Sequence, residues 1–271
     1  MNLGIGSGVL IGGLIATTSN PSSFTLLFVG DAATFLVFAA VIRLVPHAGG
    51  DRRAAGEAGG FAALLRHRVF VGALLLNLVL VTAGIAQFDI WPGYMKNQAG
   101  LDERAVSLVI AGNTALIVLS QLPVARLLEG RRRMRAMLGV GILWGGVWLC
   151  VPAVAATTDG TPTLAVFVLV GLVFGIGACL HGAVQGPLVV DLADERLLGR
   201  YMAASALSWS IGFAVGPAVG GFLLGISPPL LWIVAGLVCA AAGGAALLLE
   251  RRLPQVVLRT PRTEEGDTLA A

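Results

Sequence analysis

The sequence predicts an all-α integral membrane protein of about eight transmembrane helices. Three observations predict it: a shortage of charge, a series of long apolar runs separated by turn-forming loops, and a one-sided distribution of arginine. Of the 271 residues, 56% are hydrophobic and 12% charged. A soluble domain usually carries about 25% charged and about 45–50% apolar residues. A water-exposed surface on a chain this size would be covered poorly by so few charges, whereas lipid prefers an apolar exterior.

Crossing a bilayer takes about 20 apolar residues in helical form. The first run, Leu3–Thr18, is short and glycine-rich. The turn NPSS at 20–23 leads into Phe24–Val45, and HAGGDRR at 47–53 follows it. Then come Val69–Pro92, Ala105–Leu128 and Met134–Ala156. TTDGTP at 157–162 leads into Thr163–Val190, and Tyr201–Gly225 ends at ISPP, 226–229, before Pro229–Leu249. Helices fit because lipid satisfies no backbone group, and the runs lack the alternation of barrel strands.

Eight spans put both termini on one side of the membrane. With that count, 16 of the 18 basic residues share the side of the termini, leaving only Lys96 and Arg104 opposite. The positive-inside rule then makes the termini and the loops 46–68, 129–134 and 191–200 cytoplasmic, in a multi-pass protein of the cell membrane. The tail from Glu250 is polar and is expected to be disordered in part. The MNLGIGSG start has no basic n-region of a signal peptide. A net charge of +3, with basic residues in loops, does not point to nucleic acid. Cys150, Cys179 and Cys239 lie in apolar runs without CxxC spacing and read as packing residues.

The chain also repeats itself. GIGSGVLIGG at 4–13 aligns with GFAVGPAVGG at 212–221, so Gly4, Gly8, Gly12 and Gly13 fall on Gly212, Gly216, Gly220 and Gly221. The same 208-residue offset carries Arg43 onto Arg251 and Pro46 onto Pro254. The offset spans six helices, which implies a duplicated bundle whose copies share one orientation. It further suggests a missing N-terminal segment of about 140 residues, enough for four helices. The expected organisation is therefore the last two helices of one bundle (1–46), a cytoplasmic linker (47–68), a six-helix bundle (69–249) and a cytoplasmic tail (250–271). The alternative is an eight-helix protein with coincidental glycine spacing.

These features resemble the major facilitator superfamily, whose members have two six-helix halves and cytoplasmic termini. NLGIGSGVLIGGLIA at 2–16 is similar to that family's fifth helix. SQLPVARLLEGRRRMRAM at 120–137 is similar to the eighth helix and following basic loop of drug-efflux members. DLADERLLGRYMAASALSWSIGFAVGPAVGGFLL at 191–224 is similar to the tenth-to-eleventh loop and the eleventh helix. The chain would then match helices five to twelve. The antiporter signature GxxxGPxxGG is incomplete in the fifth helix, where Val9 stands at the proline position, and complete in the eleventh, with Pro217. The loop after the eighth helix lacks the family's aspartate, with Glu129 out of register. The resemblance implies secondary active transport of a small molecule by alternating access, as an efflux or multidrug transporter, with protons as a candidate coupling ion and antiport left open.

Polar residues inside spans are costly and mark candidate pathways for substrate or protons. Asp31 lies in the second run. Asn77, Gly84, Gln87 and Trp91 fall within about 80° of one another on an ideal helix, while Asp89 is about 200° from Gln87. Asn113 and Ser120 share a face, with Gln121 about 80° away. His181 and Gln185 are four residues apart and stack. His181 titrates near neutral pH in water, although a lone histidine is more often a packing residue. The stripes Gly4, Gly8, Gly12 and Gly212, Gly216, Gly220, with Pro217, let helices approach closely, and a flat interface of this kind also permits rocking. Asp191, Asp194, Glu195, Arg196 and Arg200 cluster at the cytoplasmic mouth, as a latch or as solvated loop charges.

No P-loop, HExxH or GxSxG is present, and no metal site, cofactor or enzymatic activity is expected. The rivals to a transporter are a non-transporting membrane fragment or partner protein and, further off, a membrane-embedded enzyme.

Overall fold

The structure is a computed structural model, and it describes residues 22–44, 61–157 and 161–261. The first predicted run and its stripe Gly4, Gly8 and Gly12 lie outside the described residues. The chain divides into two compact units, residues 1–57 and 58–271. In the first, α1 spans Ser22–Leu44.

The second unit begins with a short α2, Phe61–Arg66, and α3, Arg68–Ala83. A 3-10 turn, Ile85–Asp89, and α4, Trp91–Asn97, follow. Then come α5 (Glu103–Leu128), α6 (Arg133–Thr157) and α7 (Thr161–Leu192). A 3-10 turn at Glu195–Leu197 precedes α8 (Leu198–Ile226) and α9 (Pro228–Glu250). Seven segments of the described residues are long and apolar enough to cross a membrane. The protein is thus an all-α membrane protein, and no strand occurs among the described residues. The pattern follows from solvent: a helix satisfies its own backbone groups, which nothing in lipid would do.

One predicted span departs from the expectation. Val69–Pro92 reads as a continuous helix, but α3 stops at Ala83, and Gly84 takes φ −100° and ψ −81°. The 100° phase arithmetic therefore ends there. Pro92 then enters the first turn of α4, where its missing N–H costs nothing. At α5, Asp102 accepts a hydrogen bond from the Ala105 N–H at 2.7 Å, which sets the start two residues before the expected Ala105.

Small residues draw α6 onto α9. A Cβ built on Gly141 would lie 2.5 Å from Gly243 Cα and 2.6 Å from the Cys239 carbonyl. One on Gly236 would lie 2.9 Å from the Gly145 carbonyl. Between lipid-immersed helices such close backbone approach supplies the dispersion contact that water would otherwise drive. Trp91, Trp144, Trp148 and Trp232 are buried, and Trp148 joins Trp91 and Trp232 at ring separations of 5.9 and 5.0 Å.

The loops sort by charge within the second unit. One end gathers the His67 bend, the Gly130–Arg133 turn, Asp191 and the segment Arg251–Pro261, joined by the contacts below. The described residues after α9 are packed against the rest of the second unit. Arg251–Pro261 folds back, with Leu253 and Val257 buried, and Arg259 pairs antiparallel with Arg132. This part of the expected disordered tail is ordered because its main chain finds partners in the basic turn; 262–271 lie outside the described residues.

Candidate functional site

The glycine stripe of α8 is an interface inside the second unit. Gly212, Gly216 and Gly220 are buried, and Pro217 is partly buried. A Cβ on Gly212 would press on Val81, one on Gly216 would meet Ala86 and lie 3.0 Å from the Thr82 carbonyl, and one on Gly220 would strike Gln87. The stripe thus receives the end of α3 and the 3-10 turn after it.

Two candidate residues occupy that interface. Asn77 donates through Nδ2 to Ser208 Oγ at 2.7 Å, and Ser208 donates to the Ser205 carbonyl at 2.7 Å. Gln87 donates through Nε2 to the Thr82 carbonyl at 2.8 Å and to the Gly216 carbonyl at 3.0 Å. Thr82 lies in the last turn of α3, where carbonyls lack helical partners, so the Gln87 amide closes the helix end that Gly84 opens. Asp89, in the same turn, is exposed.

His181 and Gln185 are buried at 1% and 3% exposure. His181 sits between two indoles, 5.5 Å from Trp144 on α6 and 5.5 Å from Trp209 on α8. His181 Nε2, both amide atoms of Gln185 and Asn113 Oδ1 meet no partner among the described residues. Most buried polar atoms in folded proteins are paired, so this apolar interior holds unused hydrogen-bonding capacity on α5 and α7. Asn113 lies against Gly175, whose missing side chain admits its amide. Gln121 is exposed. Asp31 belongs to α1, in the first unit, where its carbonyl accepts a bond from Thr34 Oγ1 at 2.7 Å.

At the basic end the ion pair of Asp191 goes to Arg133. Arg133 is 1% exposed. Its neighbour Arg132 pairs with Glu250 at 2.6 Å. Arg196 holds its backbone N–H on Asp194 Oδ1 at 2.9 Å, and Arg200 lies in the first turn of α8. Nearby, His67 Nδ1 and the Tyr201 hydroxyl are 2.9 Å apart, which ties the start of α3 to α8.

Reading residues alone missed Arg133, since nothing in RRRMR separates it from its neighbours. It also missed Trp144, which packs against both Gly84 and Gly177, and the Gly141–Gly145 spacing of α6. That spacing was visible as a small-xxx-small pattern; the tryptophan's partners were not.

Among the described residues, no group of three or more His, Cys, Asp or Glu side chains is arranged to hold a metal ion. Long apolar helices, glycine-lined interfaces, isolated buried polar groups and an ion-paired basic end describe a multi-pass helical membrane protein. The chain belongs to the major facilitator superfamily, whose family model matches residues 84–271. It is 28% identical over 236 residues to "Multidrug resistance protein MdtH" of Sodalis glossinidius (strain morsitans), covering 84% of this chain and 56% of that protein. The same-named protein of Cronobacter sakazakii is 28% identical over 184 residues, covering 66% of this chain and 44% of that one. That of Citrobacter koseri is 27% identical over 180 residues, covering 63% and 43%. The chain thus spans about half the length of the curated relatives it matches. No solved structure matches it.

Proposed function

We propose that the chain takes part in secondary active transport of a small molecule by alternating access, as efflux of drug-like or apolar compounds. The observation that carries this reading is the family match over 84–271 together with relatives named as multidrug resistance proteins. Substrate binds near the bilayer midplane between two helical bundles, and rocking exposes it to each side in turn. Asp31, Asp89 and Gln121, which are exposed, are candidates for the path of substrate or protons. Asn77, Gln87, Asn113, His181 and Gln185 are the candidates for a proton path or for the packing that shapes the site. Asp191, with Arg133, Arg196 and Arg200, forms the cytoplasmic gate, and both termini are cytoplasmic. The orientation rests on the arginine distribution.

The test is accumulation of an apolar fluorescent dye in cells lacking their own pumps, with and without the chain. Lower accumulation that a protonophore restores supports proton-coupled efflux, and lower accumulation indifferent to it removes the proton. Accumulation equal to the empty vector, at matched expression in the membrane, overturns the reading for this chain. That outcome selects the second reading, a membrane partner that does not itself transport.

A further inference from the structure

We propose that Arg251–Pro261 is a strap that holds the Gly130–Arg133 turn in place and, through it, keeps Arg133 on Asp191. The C-terminal segment then sets how firmly the basic ends of α6 and α7 are tied. This inference concerns the order of helix ends and stands whether or not the chain transports anything.

The contacts are mostly between main chains. Gly130 N–H donates to the Thr260 carbonyl at 2.9 Å, and Thr260 N–H donates to the Arg131 carbonyl at 3.0 Å. Arg133 N–H donates to the Leu258 carbonyl at 3.1 Å. The Arg259 guanidinium adds a bond from Nη1 to the Gly130 carbonyl at 2.9 Å. Leu253 and Val257 anchor the strap in the core. Just before it, Glu250 holds Arg132.

The turn needs such help. It carries three successive arginines, and Gly130 is at φ +70°, so glycine's freedom makes the bend. α6 has no acidic residue in its first turn and begins with Arg133 and Arg135. Cations at a helix N-terminus oppose the helix dipole, and the first N–H groups of a helix lack internal partners. The Leu258 carbonyl gives Arg133 N–H a partner from outside the helix, and Asp191 balances the buried guanidinium. Without the strap, three like charges on a glycine bend have no main-chain reason to keep Arg133 directed at α7.

The experiment is amide hydrogen exchange on the full chain in nanodiscs. Two variants loosen the strap: Val257→Asp forces a charge under it, and the milder Arg259→Ala removes only the bond to Gly130. In Arg259→Ala, loss of one hydrogen bond to a charged group should speed exchange in segments 130–136 and 187–195 by roughly fivefold or more. Segment 94–104 at the opposite end should be unchanged. Exchange that rises in 254–261 alone, with 187–195 as in the parent, overturns the proposal. If Val257→Asp loosens the whole chain, the Arg259→Ala result decides. Asp191→Asn combined with Arg259→Ala should then change 187–195 by less than the product of the two single effects, because both act on one tie. Full multiplication of the two effects overturns it as well.

Discussion

The indole of Trp144 occupies the space that Gly84 leaves open. A Cβ on Gly84 would fall inside contact distance of the ring and 2.5 Å from the Leu80 carbonyl. On its other side the ring lies against Gly177, and its Nε1 donates to the Phe174 carbonyl at 3.1 Å. One tryptophan on α6 thus packs on the broken end of α3 and on the middle of α7.

Gly84→Ala and Gly177→Ala should each destabilise the protein by roughly 1–3 kcal/mol, because the ring is rigid and the backbone cannot yield easily. Trp144→Ala should cost about 3–5 kcal/mol through the cavity it leaves. Thermal unfolding in detergent checks all three. An unchanged midpoint for Gly84→Ala would refute the wedge.

Glycines on different faces of α6 and α9 should respond differently to substitution. Gly141→Leu and Gly243→Leu would drive the two backbones apart, and the purified protein should lose its monodisperse elution profile. Gly146 and Gly244 have open space where a side chain would grow, so Gly146→Leu and Gly244→Leu should elute as the parent does.

The Asn77–Ser208 bond predicts a modest coupling. Single alanine replacements at either position and the double replacement should give an interaction energy of about 0.6 kcal/mol, and not above about 2, as for other interhelical hydrogen bonds in membranes. A coupling of zero would mean that Asn77 serves something other than α8.

The two ends of the second unit carry ion pairs of different weight. Lys96 and Glu103 are 2.8 Å apart but exposed, so Lys96→Met should leave the unfolding midpoint unchanged. Asp191→Ala strands a buried guanidinium. Asp191 itself is about a third exposed, so the cost should be roughly 1–3 kcal/mol, below that of a fully buried pair. Equal effects at the two ends would contradict the burial of Arg133.

His181 separates packing from transport. If the histidine carries a coupling proton, His181→Gln should slow dye efflux while leaving expression and unfolding as in the parent. If it only fills the space between Trp144 and Trp209, efflux and unfolding should fall together or not at all.

Much of the architecture was legible from residues alone. Long apolar runs punctuated by proline, glycine and charge can only be helices in lipid, so six of the seven membrane-length segments lie within a few residues of their expected ends. The interruption of Val69–Pro92 was harder to see, because a glycine inside an apolar run is ordinary and only the Trp144 ring shows why the helix ends there. The candidate polar residues were legible as types, since each is costly in a span. Their company was not. Asp191 pairs with Arg133, which lies 58 residues away in the chain. The stripe of Gly212, Gly216 and Gly220 was visible as a pattern, but its occupant Gln87 was not.

The sequence by itself thus determined the solvent, the helices and the charged loops, because hydropathy and charge act on each segment separately. Only the tertiary structure decided which glycine meets which ring, which arginine is buried, and that Arg251–Pro261 return to bind the basic turn. Those choices depend on which surfaces meet when the helices pack, and the meeting groups are far apart in the chain.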